Sequence, residues 1–580
     1  MVLLPGRCNV PPTKAHFMIE AQPRFNISAP LERRLAIILV ALLVAAKIAY
    51  VYTYRANSDE TQHLHVVWGW ANGFLPYRDF FDNHSPLFQF LCSPLLRLLG
   101  ERADIVLLMR WTMIPLYFLC LWMVYCMGTI LYSRRLAVWA TLLTGAYPIF
   151  FTKSTEFRTD DLWMLLWLFG LLVLMKRPLN GMNAFLAGLT FGACFATSMK
   201  TSALLVSLGV AVTLVLIAKA ARKQRVNWTH LLRLVMISST GMAIVPAIVL
   251  VYFASRGALP NLYYCVIQHN LVAGFFRLDV SKRIQVFALP ILLSILGAWF
   301  TVRHPANDTT TQDRRVVLAV TGAALALMFG LYWPIIEQHD ILPLAPLVFL
   351  AAVPALAGAV KSSKASPTLA LPLLVGVELV VLLIFSPPRL HALNETTTLI
   401  SDVLRLTTRE DYVMDAKGES VFRRRAIYPV LEGVTLRRLE LGLIKDDIPE
   451  RLMATGAPVA SVLRTPPRAR EFIEQNYLPV AYRVRVLGKM LALEAHAPDG
   501  IHEFEIMIPA EYILVAERGN LQAMVDGTPW QDARFLARGH HQVSIVSGEG
   551  RIALMLASAV KNGFSPFSPQ ARDVVNGPLY

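Results

Sequence analysis

Charge is scarce in this sequence, and cysteine is scarcer. Of 580 residues, 16% are Asp, Glu, Lys or Arg, 55% are hydrophobic and six are cysteine. So little charge, with a mean hydropathy of +0.48, excludes an ordinary soluble domain, because apolar runs of about 20 residues mark helices that cross a bilayer. The cysteines (Cys8, Cys92, Cys120, Cys126, Cys194 and Cys265) form no CxxC pair and none follows residue 390, which excludes a zinc ribbon or a disulfide framework. No GxGxxG follows a strand, and there is no Walker P-loop, HExxH pair or GxSxG elbow, so an ATP-driven pump is excluded. Internal repeats and inverted Gly/Pro-interrupted helix pairs, which would favour a secondary transporter, are also missing.

What the sequence does have is apolar runs. We read about eleven spans, roughly 35–54, 105–131, 136–152, 161–175, 183–199, 201–218, 232–253, 284–302, 316–334, 341–360 and 368–386. The first follows a tail, 1–34, and has no small-residue cleavage site, so it reads as a retained helix. Basic residues outnumber acidic ones by 55 to 40. They do not form a basic-aromatic module, so nucleic acid is not an expected partner. With the N-terminus in the cytoplasm, the inner loops hold Arg134-Arg135, Lys176-Arg177, Lys219 to Arg225, Arg303 with Arg314-Arg315, and Lys361 with Lys364. This is the positive-inside pattern. An odd number of spans then puts the C-terminal region outside.

The outer side receives a different set of residues. After the first span comes SDETQHLH, with Asp59, Glu60 and His63 within one turn of a helix. A carboxylate in a partly dry cleft can serve as a base, the alternative here being an N-cap with Glu60 in the first turn. PYRDFFDNHSPL, fixed by Pro76 and Pro86, offers Asp82 and His84 to a site, or is an interfacial aromatic loop. In KSTEFRTDD, Arg158 can hold a phosphate, and Asp160 and Asp161 can bind a metal or orient a hydroxyl; otherwise Arg158 pairs with one of the acids. Lys200, in ATSMKTSALL, and Arg277, in NLVAGFFRLDV, are candidate anion ligands, with a snorkelling lysine as the alternative for the first. EQHDILPLAP brings Gln338 and His339 to the start of a span, as ligands or as part of a cap. Ionisable groups beside a bilayer are expensive and tend to mark a site.

After Ser386-Pro387-Pro388 the composition changes. Residues 391–580 read as an exported α/β part followed by a β-sandwich at about 500–560.

Taken together, SDETQHLH, GFLPYRDFFDNHSPLFQFL, EFRTDD, ATSMKTSALL and QHDILPLAPLVFLAA resemble the GT-C superfamily of polyprenyl-phosphate-dependent glycosyltransferases, near its protein O-mannosyltransferase and lipid A aminoarabinose transferase branch. The resemblance covers roughly residues 35–390. It departs from the aminoarabinose transferases at Asn83-His84-Ser85-Pro86, where those carry a Glu-Lys-Pro-Pro-like run. It implies a polytopic α-helical GT-C-like membrane domain and a polyprenyl-phosphate sugar donor held in the bilayer. The acceptor would be an extracytoplasmic glycan, lipid or protein. It implies inversion at the anomeric carbon, with Asp59 as general base and Glu60 or His63 orienting it. Lys200 and Arg158 would stabilise the leaving phosphate, with Arg277 and His339 behind them, and there is room for a divalent ion at Asp160 or Asp161. A lipid-linked sugar flippase is the alternative, but it needs polar residues along a path through the bilayer, and 183–199 and 316–334 have few. A non-catalytic assembly protein would need no such outer constellation. A cysteine-free exported domain fits a bacterial inner membrane.

Overall fold

The structure is a computed structural model and describes residues 30–175, 179–272, 280–333, 335–362, 368–491 and 501–571. Its first part is a helical bundle. In order come α1 (Pro30–Thr53), α2 (Ser58–Ala71), α3 (Leu87–Leu99), α4 (Ile105–Arg110), α5 (Met113–Leu131), α6 (Arg134–Ala146), α7 (Pro148–Lys153) and α8 (Thr159–Met175). Then come α9 (Gly181–Thr197), α10 (Thr201–Ala221), α11 (Trp228–Ser255), α12 (Leu259–Tyr263), α13 (Val280–Arg303), α14 (Thr309–Leu327), α15 (Ala345–Ser362) and α16 (Ala370–Phe385). A short 3-10 turn, Gln338–Ile341, precedes α15.

Six described helical stretches are long and apolar enough to cross a membrane, and four shorter apolar helices join them. The protein is a multi-pass membrane protein, but the expected count of eleven spans is not established. The stretch read as one span at 136–152 is broken at Tyr147, because Pro148 opens α7 as a separate helix. Helix starts next to the basic loops carry side-chain caps: Ser133, Asn180, Asn227 and Asp308 each accept from a backbone N–H of the following turn.

Between helices, lipid supplies no hydrophobic driving force, so close packing and buried polar contacts hold the bundle. In α9, Gly188 and Gly192 lie against the α11 backbone, and a Cβ at Gly188 would come within 1.9 Å of the Ser238 carbonyl oxygen. Several buried charges have polar partners. Glu32 accepts from Arg135 Nε and Trp139 Nε1, both at 2.7 Å. Lys47 in α1 donates to the Phe151 carbonyl, Ser154 Oγ and Thr155 Oγ1, each at 2.8 Å. Arg283 donates to the carbonyls of Phe329, Gly330 and Trp333, satisfying the end of the helix that precedes them.

The second part contains α17 (Asn394–Leu406), β1 (Tyr412–Met414), β2 (Arg424–Arg425), α18 (Gly433–Glu440), α19 (Ile448–Thr455), β3 (Val459–Ala460) and α20 (Pro467–Asn476). It continues with β4 (Tyr477–Ala481), β5 (Val484–Leu491), β6 (Ile501–Ile506), β7 (Ala510–Val525), β8 (Thr528–Trp530), β9 (Arg534–Leu536), β10 (Gly539–Leu556) and α21 (Ala557–Lys561). The α/β part and the antiparallel part are not separate. One hydrogen-bonded path, β2-β1-β3-β5-β10-β7-β8, runs through a ten-stranded sheet, with β1 parallel to β2 and β3. The joint lies within β5. Its first half pairs with β3 and β4, and Gly488 to Leu491 pair with β10.

This part is seated on α2 and its neighbours. Leu393 and Ile400 around α17, with Val421 and Phe422, share a buried cluster with Leu64, Val67 and Trp68 of α2 and with Phe88, Met109 and Phe157. Arg423 Nη1 adds an ion pair to Glu101 at 2.9 Å.

Candidate functional site

α2 starts a few residues beyond the C-terminal end of α1, and a capping box fixes that start. Asn57 Oδ1 accepts from the Asp59 N–H at 3.0 Å, and Glu60 reaches back to the Asn57 N–H at 2.9 Å. The two acids of this first turn then part. Glu60 is fully buried. Its oxygens accept two bonds from Arg110, at 2.7 and 2.6 Å, and one from the Phe157 N–H at 2.9 Å. Arg110 also donates to the carbonyls of Tyr54 and Arg55 at the end of α1, at 2.7 and 2.8 Å. Glu60 therefore has a different place from the one its sequence position suggested: it joins helices and does not reach the cleft.

Asp59 faces the cleft. Arg158 Nη1 donates to its Oδ2 at 2.6 Å, and Lys417 pairs with its Oδ1. Burial works against ionisation of Asp59, but Lys417 and Arg158 outweigh it and hold the carboxyl well below the usual carboxylate range. Arg158 uses its other nitrogens on Asp160 Oδ2, at 3.1 Å, and His339 Nδ1, at 2.9 Å. His339 Nε2 lies 3.0 Å from Lys200 Nζ, and Lys200 donates to Asp340 Oδ1 at 2.6 Å. Burial first, then Arg158 and Lys200, push the His339 imidazole well below its ordinary value. A neutral imidazole has only one acceptor nitrogen. It can serve one of these cations, and the other has donor capacity left for an anion.

Asp59, His84, Lys200 and His339 keep 29%, 30%, 23% and 12% of their side-chain surface exposed. His84 stands at the side of α2, its ring 4.6 Å from that of His63. Its Nδ1 lies 2.9 Å from Asp82 Oδ1, which also accepts the His84 N–H at 3.0 Å. Burial lowers the His84 imidazole, but Asp82 more than offsets this, and the group lies above its ordinary value. His63 goes the other way, lowered by burial and by the neighbouring His84. Asn83 donates to Glu432 Oε1 at 2.9 Å, so the start of α18 also reaches this loop.

The structure thus brings Asp59, Arg158, Asp160, Lys200 and His339 into one network, with His63, Asp82 and His84 beside it. Gln338 is exposed and its side chain stands apart. Asp161 is fully buried, and both its oxygens lack a hydrogen-bond partner among the described residues. Among those residues no group of three or more His, Cys, Asp or Glu is placed to hold a metal ion. Arg277 lies outside the described residues. Sequence reasoning missed Lys417, in DYVMDAKG, and Arg110, in the apolar stretch 105–131. Neither has a local signal, because each gets its meaning from a partner far away in the chain.

Next to the network an apolar cavity of about 810 Å³ opens between α9, α11 and α12. Its lining includes Ser85 and Pro86, which follow His84, and Met199, which precedes Lys200, with Phe195, Pro246 and Tyr263 further in. A constellation of this kind can hold an anion, accept a proton at Asp59, and do both at the boundary of a bilayer.

The family model described as dolichyl-phosphate-mannose-protein mannosyltransferase matches residues 83–246. That segment holds His84, Arg158, Asp160 and Lys200 but not Asp59, His339 or Lys417. No curated protein matches the chain. Among solved structures, ArnT from Cupriavidus metallidurans in the apo state is similar with 12% identity and a TM-score of 0.53, over 78% of this chain and 98% of that one. The same protein bound to undecaprenyl phosphate gives 13% identity and a TM-score of 0.53, over 78% and 97%. The oligosaccharyltransferase of Archaeoglobus fulgidus in the apo form has 11% identity and a TM-score of 0.45, over 78% and 73%. The ArnT likeness shows the fold, which is the one expected from the sequence.

Proposed function

We infer that this chain, a multi-pass membrane glycosyltransferase with the GT-C fold, moves a sugar from a polyprenyl-phosphate donor to an extracytoplasmic acceptor with inversion. The observation that carries this reading is the pairing of a partly exposed carboxylate with a set of cations, two of whose chain neighbours, Pro86 and Met199, line an apolar cavity. The prenyl chain occupies the cavity beyond Pro86 and Met199, which leaves its phosphate beside Lys200 and His339.

Asp59 is the general base. An acceptor hydroxyl attacks the anomeric carbon, its oxygen forms the new glycosidic bond, and its proton passes to Asp59. The bond between the anomeric carbon and the phosphate oxygen breaks, and the polyprenyl phosphate leaves with the electron pair. Its growing negative charge meets Lys200 and Arg158, which are fixed before the reaction and stabilise it most in a site poor in water. Arg158 also joins the two ends of the site, since it touches both Asp59 and His339. Glu60 has a positioning role: through Arg110 and the cap it fixes the turn that aims Asp59. Asp82 holds His84 at the sugar side of the cleft. Where the family's aminoarabinose branch places a lysine, this chain has His84, and the donor sugar is accordingly one of another kind. The N-terminal tail lies in the cytoplasm and the 391–580 domain outside, in a bacterial inner membrane, as the basic inner loops support.

The test is transfer of a labelled sugar from a panel of polyprenyl-phosphate donors in membranes, comparing the native protein with Asp59→Asn at equal amounts. We expect a loss of about 10²–10⁴-fold for the variant, the scale of a missing general base. Equal transfer by both would remove Asp59 from the role. A labelled lipid that changes leaflet without losing its sugar would replace transfer by flipping.

A further inference from the structure

We propose that Lys417, carried by the C-terminal domain, is a positioning residue for Asp59, so that this domain completes the catalytic centre. The inference rests on the transferase reading and goes beyond it by giving the domain a part in the chemistry.

The loop that carries Lys417 is built to a single shape. Asp415 Oδ1 accepts the Gly418 N–H at 2.8 Å and Arg425 Nε at 2.9 Å. Its Oδ2 accepts the Ser420 N–H at 2.9 Å and the Ser420 hydroxyl at 2.6 Å. Glu419 Oε2 accepts the Lys417 N–H at 2.7 Å. Gly418 has φ +86°, and a Cβ there would come within 2.7 Å of His65 Cβ. A side chain is thus excluded twice, by backbone conformation and by the α2 surface. Three residues later, the Val421 carbonyl lies 2.9 Å from His65 Nδ1.

A lysine is ordinarily a flexible point charge on a long stem. Here the stem is enclosed, with 7% of the side chain exposed, and the ammonium pairs with Asp59 across 358 positions of sequence. Asp59 is its hydrogen-bond partner among the described residues, so further N–H donors remain for a ligand in the cleft. Arg158, by contrast, is shared among Asp59, Asp160, Glu156 and His339. Glue between domains would not need an aimed cation at the one half-exposed acid of α2. Arg423 with Glu101 and the apolar cluster around Phe422 already supply that adhesion.

The consequence is a defined charge environment for the base. The titratable and charged groups facing Asp59 are Lys417 from the C-terminal loop, Arg158 from the turn before α8, His339 from the 3-10 turn, His84 from the DNHSP loop and His63 from α2 itself. Loss of Lys417 removes a full positive charge next to the carboxylate, so its ionisation moves to higher pH.

The experiment is kcat and KM for a polyprenyl-phosphate sugar across pH, for the native protein, Lys417→Gln, Lys417→Arg and Arg409→Ala. Arg409 pairs with Glu101 at 3.0 Å, is 71% exposed, and reports on loosening of the domain contact alone. We expect the acid limb of kcat/KM to move up by about 1–3 pH units in Lys417→Gln, the usual effect of one adjacent charge. Lys417→Arg should restore it, and Arg409→Ala should leave it in place. An acid limb in Lys417→Gln that coincides with the native one overturns the proposal while the transferase reading stands. No transfer by the native protein with any donor overturns both. Thermal unfolding gives a readout without turnover: Lys417→Gln should shift Tm in the native background and much less in Asp59→Asn. Additive shifts would also overturn it.

Discussion

The two sides of the first turn of α2 hold adjacent acids in opposite situations. On the bundle side, Glu60 and Arg110 are both fully buried, and every oxygen of Glu60 has a donor. On the cleft side, Asp59 is partly exposed and meets two cations that come from other parts of the chain. Each arrangement is an ion pair in a poorly solvated place, so burial and charge alone do not separate structure from function. What separates them is saturation. A closed pair has no capacity left over. An open one with excess donors has capacity for a ligand, and it keeps its geometry because its partners are fixed elsewhere.

The sharpest way to break this contrast is to remove each acid in turn. Asp59→Asn should lower transfer by about 10²–10⁴-fold while leaving Tm within a few degrees. Glu60→Ala should leave the buried Arg110 without its carboxylate, at about 3–5 kcal/mol, the cost of breaking a buried pair. Folded protein recovered in detergent measures the second effect, and a Glu60 variant as stable as the native protein would erase the distinction. Next in size comes Arg158→Lys. A lysine cannot address Asp59, Asp160 and His339 in one plane, and we expect about a hundredfold loss in kcat/KM, the scale of a small misplacement of reacting groups, with little change in Tm. Gly418→Ala acts only through the seating of the outer domain. It should cost about 1–3 kcal/mol, seen as faster hydrogen exchange in 412–425 and reduced transfer.

The smallest effect concerns pH. Asp82 raises the His84 imidazole above its ordinary value of 6.5. A raised folded-state value means that the stabilisation is complete below 6.5 and is lost as pH climbs through the folded-state value. The Tm advantage of the native protein over His84→Gln should therefore be present in acid and fade in alkali. A constant difference would show that the Asp82 contact holds the loop without the charge.

Much of the cleft was legible in the sequence, for a physical reason. A charged residue next to a 20-residue apolar run has few neighbours to hide among, so Asp59, Arg158, Lys200 and His339 stand out. The lysine and arginine count then sorts them onto one side. The helical membrane part was legible from hydropathy, the GT-C fold from the resemblance that the motifs carry, and the β-rich C-terminal part from short apolar runs between Gly turns. Asp59 and Glu60 sit in one helical turn, and only the position of Arg110 shows that Glu60 is turned away from the cleft. Arg110 reads as an incidental charge in 105–131 until the end of α1 is seen to offer it the carbonyls of Tyr54 and Arg55. Lys417 was hidden by distance along the chain. The joining of both C-terminal parts through β5 was hidden too, since β5 reads as a single strand and gives no sign that its halves have different partners.

The lysine in α1 bears on how the protein is made. Lys47 finds its acceptors at Phe151, Ser154 and Thr155, the first of them 104 residues further along the chain. At about 5–20 residues per second, α1 waits roughly 5–20 s before those acceptors exist. A lysine costs at most about 2.5–3.5 kcal/mol on insertion, the figure for the centre of a span, which α1, with a stretch of mean hydropathy 2.4, can outweigh. The first helix therefore enters the bilayer with an unpaired charge and keeps it at a translocon or lipid boundary until α7 arrives. Assembly of the bundle has a built-in order, in which α1 is held open for a partner that has not yet been synthesised.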